Sequence, residues 1–132
     1  MRSAYPNTVL VVDDDEMIRI TASMILGAGG FTVITVDHGQ TAIDLFTAQQ
    51  DEIVLIVLDV NMPEMDGNTC FARLREIRPD IPVVFCSGYN KGGKSADLIE
   101  TGKAAFIKKP YVAEDLIATC KRAIVQTSHT QS

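Results

Sequence analysis

Five side chains in this chain have types that can do chemistry together. They are the paired acids Asp13 and Asp14, a third acid Asp59, the hydroxyl of Ser87 and the ammonium of Lys109. They are far apart in sequence, yet each follows a short apolar run by one or two residues: "TVLVV" (8–12), "IVLIVL" (53–58), "IPVVFC" (81–86) and "AAFI" (104–107). Carboxylates gathered in one place repel each other, and a hard divalent cation relieves that repulsion. Mg²⁺ suits such a site, because it takes oxygen ligands and commonly uses one or two carboxylates plus a phosphate. Lys109 adds a point charge for a phosphoryl oxygen, and Ser87 adds a hydrogen-bond donor. The set fits phosphoryl transfer, in which positioning and charge neutralisation do most of the catalysis. Asp59 is then a candidate nucleophile, forming an aspartyl phosphate.

The elements that must position these residues follow from the apolar periodicity. Residues 8–12, 31–36, 53–58, 81–86 and 104–107 read as strands. Residues 16–28, 40–48, 66–77, 94–101 and 113–125 read as helices. The first helix carries Ile18, Ala22, Ile25 and Leu26 as its apolar stripe, the third Cys70, Phe71 and Leu74, and the last Leu116, Ile117, Cys120 and Ile124. Asp15 and Glu16 suit the start of the first helix, "GAGGF" suits its end, and Asp66 suits the start of the third. "IVLIVL" is apolar on both faces, as a strand is in the middle of a parallel sheet covered on both sides. The alternating βα string predicts one α/β domain, a doubly wound parallel sheet with helices on both faces. Ligands of such sheets bind beyond the carboxyl ends of the strands, where the five side chains are expected to gather.

The totals agree with one domain. The chain has 132 residues, 46% hydrophobic and 22% charged, enough for a substantial core. A net charge of −5 with no basic cluster argues against direct nucleic-acid binding. No apolar run reaches the ~20 residues of a membrane span, and "MRSAYPNTVLVVDDDE" does not read as a signal peptide, so no membrane insertion and a cytoplasmic location are expected. Cys70, Cys86 and Cys120 are widely spaced and read as packed thiols rather than a disulfide or zinc set. His38, in "DHG", and His129, in a polar tail, suggest neither ligand nor base.

One further motif competes. Gly88, Gly93, Lys94 and Ser95 satisfy the phosphate-binding pattern G-x-x-x-x-G-K-[ST]. That reading makes the chain a nucleotide binder, but it leaves Asp13, Asp14 and "KKP" without work. The acidic strand also precedes the glycine loop, whereas in such enzymes it usually follows. A haloacid-dehalogenase-like phosphatase needs a second Asp two residues after the nucleophile, where this chain has Asn61.

The segments "VLVVDDDE", "LIVLDVNMPEMDG", "VVFCSG" and "FIKKP" closely resemble, in order and spacing, the CheY-like receiver domain of two-component response regulators. The resemblance covers about residues 8–125 and leaves polar tails on a single receiver domain, 1–132. It implies a flavodoxin-like fold: five strands in the order 2-1-3-4-5 and five flanking helices. It also implies that Asp59 accepts a phosphoryl group from a phosphohistidine on a histidine kinase or phosphotransfer protein. Asp14 would bind Mg²⁺ directly, Asp13 through water, and Asn61 through its backbone carbonyl, with Asp59 completing the metal set. Ser87 would hydrogen-bond the phosphoryl group, Lys109 would pair with it, and Pro110 would follow a cis peptide bond. Pro63 and Gly67 would shape the loop after Asp59. Phe106 would be the switch aromatic coupled to Ser87, and Asn61 and Tyr89 would tune phosphoryl lifetime. Such a protein phosphorylates and dephosphorylates itself, but its output is conformational rather than catalytic turnover. A receiver-shaped interaction module that is never phosphorylated is the remaining alternative. The chain has no room for an output domain, so a single-domain regulator and a module of a larger protein are both compatible with it.

Overall fold

The computed structural model describes residues 7–60, 62, 65, 67–87, 105–108 and 111–131. Among these, five strands form one sheet: β1 (Thr8–Val12), β2 (Thr32–Val36), β3 (Ile53–Asp59), β4 (Val83–Ser87) and β5 (Ala105–Lys108). Four helices accompany them: α1 (Glu16–Ala28), α2 (Gly39–Gln49), α3 (Gly67–Ile77) and α4 (Ala113–Gln131). The sheet is parallel throughout, in the order β2-β1-β3-β4-β5. The helix expected over 94–101 lies outside the described residues, so four of the five expected helices are in view.

Side chains alternate across a strand, and that alternation builds two cores. Leu10, Val12, Ile56, Leu58 and Phe85 pack with Phe46 of α2 and Phe71 and Leu74 of α3. Val9, Val11, Leu55, Val57, Val84 and Cys86 pack on the other face with Ala22 and Leu26 of α1 and Leu116 and Cys120 of α4. Truncating any of the fully buried Leu or Ile residues to Ala costs about 2–5 kcal/mol. The central strand has no solvent face, which is why "IVLIVL" is apolar at every position.

Local signals set most boundaries. Asp15 caps α1, its Oδ1 accepting from the backbone N–H of Met17 (2.9 Å) and Ile18 (3.4 Å). The same helix ends at Gly29, whose N–H reaches the carbonyls of Ile25 and Leu26, and Gly30 takes φ +99°, open to glycine at no steric cost. Several boundaries differ from expectation, most by one residue, and three of them have a visible cause. β3 keeps pairing one residue longer, so Asp59 is the strand's last residue rather than the first beyond it. β4 begins at Val83, two residues late: the Ile81 N–H closes a turn onto the Arg78 carbonyl, and Pro82 contributes only its carbonyl, accepting from Ile56. α4 runs on to Gln131 rather than stopping at 125, because "QTSHTQ" contains no Gly or Pro to end it.

Candidate functional site

The sheet register carries the acids to one rim. Val12 pairs with Leu58, one residue before Asp13 and Asp59 respectively. Asp59 pairs in turn with Cys86, and Ser87 with Lys108. Asp13 and Asp59 continue the alternating row of Val9, Val11, Leu55 and Val57, the face covered by α1 and α4. Asp14 follows in the turn before α1. Carboxylate oxygens of Asp13, Asp14 and Asp59 lie within 4.8 Å of one another.

The three acids differ in exposure. Asp13 is fully buried and Asp59 is 3% exposed, whereas Asp14 faces solvent. Asp13 is fixed by the backbone around it. Its Oδ1 accepts from the Asp15 N–H at 2.9 Å, its own N–H donates to the Val36 carbonyl at 3.1 Å, and Arg19 Nη1 donates to its carbonyl at 2.8 Å. Two unit negative charges 4–5 Å apart repel by about 3–4 kcal/mol at an effective dielectric constant of about 20. That repulsion, two of the acids being buried, is what a cation at the cluster would relieve. The donor set is all carboxylate oxygen, which fits a hard cation such as Mg²⁺ and not a soft one.

Past Asp59 the chain turns back sharply. The Gly67 N–H donates to the Val60 carbonyl at 3.1 Å, and a Cβ on Gly67 would stand 2.7 Å from Val60 Cα and 3.0 Å from the Asp59 carbonyl oxygen. Only glycine permits that approach, so Gly67 holds the start of α3 against the end of β3. On the other side of Asp59, the Val60 N–H donates to the Cys86 carbonyl at 3.1 Å.

Tyr111 enters the same region from the segment between β5 and α4. Its hydroxyl donates to Cys86 Sγ at 3.0 Å. Burial above all, then the Cys86 sulfur and the carboxylates of Asp13 and Asp59, push the phenol far above its ordinary range, so it remains a donor. On the far side of Asp13, His38 Nδ1 lies 2.8 Å from Asp37 Oδ1, and that bond holds the exposed Asp37 carboxyl below its usual range.

Of the residues predicted from sequence, the structure brings Asp13, Asp14 and Asp59 together. It places Ser87 as the last residue of β4 and Phe106 within β5, paired with Phe85. Asn61, Pro63, Asp66, Tyr89, Lys109, Pro110 and the glycine-rich stretch Gly88–Ser95 lie outside the described residues. Three residues went unread in the sequence. Arg19 lies within α1, away from the strand ends where the other site residues fall, and so carries no comparable signal. Cys86, one residue before Ser87, reads from sequence as a packed thiol, and it is the observed β3–β4 register that sets it beside Asp59. Tyr111 had a signal, since it directly follows "KKP".

A doubly wound parallel sheet with a triad of carboxylates at its carboxyl rim defines a class of α/β folds whose ligand end is acidic and suited to a hard cation. Residues 9–121 match the family model described as response regulator receiver domain, and the chain belongs to that family. It is 34% identical over 117 residues to the sensor kinase CckA of Brucella abortus, covering 89% of this chain and 12% of that one. It is 27% identical to the chemotaxis protein CheY of Bacillus subtilis, covering 88% and 96%. Against the sensor kinase, a transport regulator and a response regulator, the chain spans 12%, 26% and 52% of the relative's length. Among solved structures, a chain of the Borrelia burgdorferi CheX–CheY–BeF₃–Mg²⁺ complex superposes with a TM-score of 0.79 at 29% identity, over 86% of each chain.

Proposed function

We propose that this chain is the phosphoacceptor of a two-component or phosphorelay system, with Asp59 as the acceptor. The observation that carries the reading is the carboxylate triad, its oxygens within 4.8 Å at the rim where parallel sheets bind ligands. The resemblance to a chain of a CheX–CheY complex that contains Mg²⁺ and BeF₃ supports it. Asp13, Asp14, Asp59 and the Asn61 carbonyl would hold Mg²⁺. When bound, the ion supplies positive charge beside the phosphoryl oxygens. A carboxylate oxygen of Asp59 attacks phosphorus, the P–N bond to the donor imidazole breaks, and that nitrogen keeps the electron pair and takes up a proton. Lys109 pairs with a phosphoryl oxygen and Ser87 hydrogen-bonds another. The burial of Asp59 limits water access, which favours transfer over hydrolysis. Phe106, with Ser87, forms the switch that conveys the modification to a downstream partner, and Asn61 and Tyr89 set how long it lasts. The donor is a histidine kinase or a phosphotransfer protein. No helix among the described residues is long and apolar enough to cross a membrane.

The test is intact mass after incubation with acetyl phosphate, with and without Mg²⁺, beside Asp59→Asn. The expected outcome is a gain of one phosphoryl group that needs Mg²⁺ and is absent from the variant. No gain in the wild-type chain, together with no beryllofluoride binding, would instead identify an unphosphorylated interaction module.

A further inference from the structure

We propose that Tyr111 is a positioning residue for phosphoryl transfer, acting through its hydrogen bond to Cys86. The inference rests on Asp59 being the acceptor. Cys86 is fastened to the Asp59 segment as the sheet partner of Asp59, with its carbonyl accepting from the Val60 N–H at 3.1 Å. The hydroxyl of Tyr111 then joins Cys86 Sγ at 3.0 Å. Tyr111 thus ties the chain that leaves β5 to the strand position beside the acceptor.

The sequence gives this tether a purpose. β5 ends at Lys108, which pairs with Ser87. Only Lys109 and Pro110 separate Lys108 from Tyr111. The described residues on either side of that stretch are held, Lys108 by the sheet and Tyr111 by its phenol, and Lys109 between them in sequence is the residue that the resemblance pairs with the phosphoryl group. A catalytic ammonium contributes only when held to a fraction of an ångström. Packing alone does not require the hydroxyl, because a phenylalanine ring would fill the same space. Sulfur is also a weak acceptor, so the bond adds little to global stability. Burial, and then the Cys86 sulfur, keep the phenol protonated, so the O–H persists as donor.

The experiment follows phosphorylation of the purified chain by acetyl phosphate at saturating Mg²⁺, recording maximal rate and half-saturating donor concentration. The variants are Tyr111→Phe, Cys86→Ala, Cys86→Ser and the Tyr111→Phe/Cys86→Ala double, each with its urea midpoint. Tyr111→Phe is expected to lower the maximal rate about 3- to 10-fold, with half-saturation and urea midpoint nearly unchanged. The double variant should be no slower than the slower single one, since both remove one bond. Cys86→Ser, which offers a hydroxyl acceptor, should stay faster than Cys86→Ala. A wild-type maximal rate in Tyr111→Phe, or multiplied losses in the double variant, would overturn the tether while leaving Asp59 as acceptor. A wild-type chain that gains no phosphoryl group, like Asp59→Asn, would overturn both readings together.

Discussion

At the scale of single residues, the same burial that isolates Asp59 acts on the thiols. Cys70 and Cys120 are buried in opposite cores, and burial pushes both thiols from the ordinary 9.0 up to about 12. Both are therefore expected to resist iodoacetamide at pH 8 in the folded chain and to react once it is unfolded in urea; rapid native labelling at either, read by peptide mass, would contradict their packing. The linked pH effect has a definite sign. A thiol whose folded pKa is raised keeps its proton in the native state while the unfolded state releases it. The stability this represents is complete below about pH 9 and is lost as pH climbs from 9 towards 12. The urea midpoint should fall across that window, and by less in Cys70→Ala/Cys120→Ala once its own lower baseline is subtracted. The acids at the rim were legible as residues because each follows an apolar run. The links between residues were not: Arg19 reaches back across the start of α1 to the Asp13 carbonyl, and Tyr111 reaches Cys86 from another part of the chain, and neither bond follows from residue type or apolar spacing.

At the scale of elements, Gly67 shows how one missing Cβ decides where a helix starts. Adding a methyl there sets carbon against backbone on both sides, at 2.7 Å from Val60 Cα and 3.0 Å from the Asp59 oxygen, and neither neighbour is a flexible side-chain end. Gly67→Ala is therefore expected to destabilise the chain by about 1–3 kcal/mol in urea titration. It should also slow phosphorylation, because the end of β3 must shift to make room; an unchanged midpoint would show that the loop gives way freely. The elements themselves were largely readable. β1 and α1 match their expected spans, 8–12 and 16–28, because a strand-length apolar run, an Asp cap and a glycine stop all agree there. The misplaced ends belong to competing chemistry. Pro82 delays β4 because it cannot donate to the ladder. α4 outruns its apolar stripe because helix continuation needs only the absence of a breaker. The extra residue of β3 comes from pairing with β4, a long-range contact, and it is what makes Asp59 part of the sheet.

At the scale of the whole molecule, alternation of apolar runs and amphipathic segments was enough to predict a parallel sheet covered on both faces, but not the order of its strands. The order β2-β1-β3-β4-β5 came from the family resemblance, since periodicity says which face a residue takes and nothing about which strand lies next to it. That order places β1 beside β3, and so the acids of both strands at one point. A fold that gathers carboxylates in this way is held back by their repulsion, and a ligand that relieves it must stabilise the native state by linkage. Mg²⁺ at about a hundred times its dissociation constant is expected to add about 2.7 kcal/mol to unfolding in urea, with an unchanged slope. Asp14 is exposed, so replacing it tests the charge with little change in packing. In the absence of Mg²⁺, Asp14→Asn should be at least as stable as the wild type, because one repelling charge has gone. On adding Mg²⁺ it should gain much less. Equal gains in the two chains would mean that the ion acts elsewhere, and that the triad, for all its geometry, is not where the molecule binds its cation.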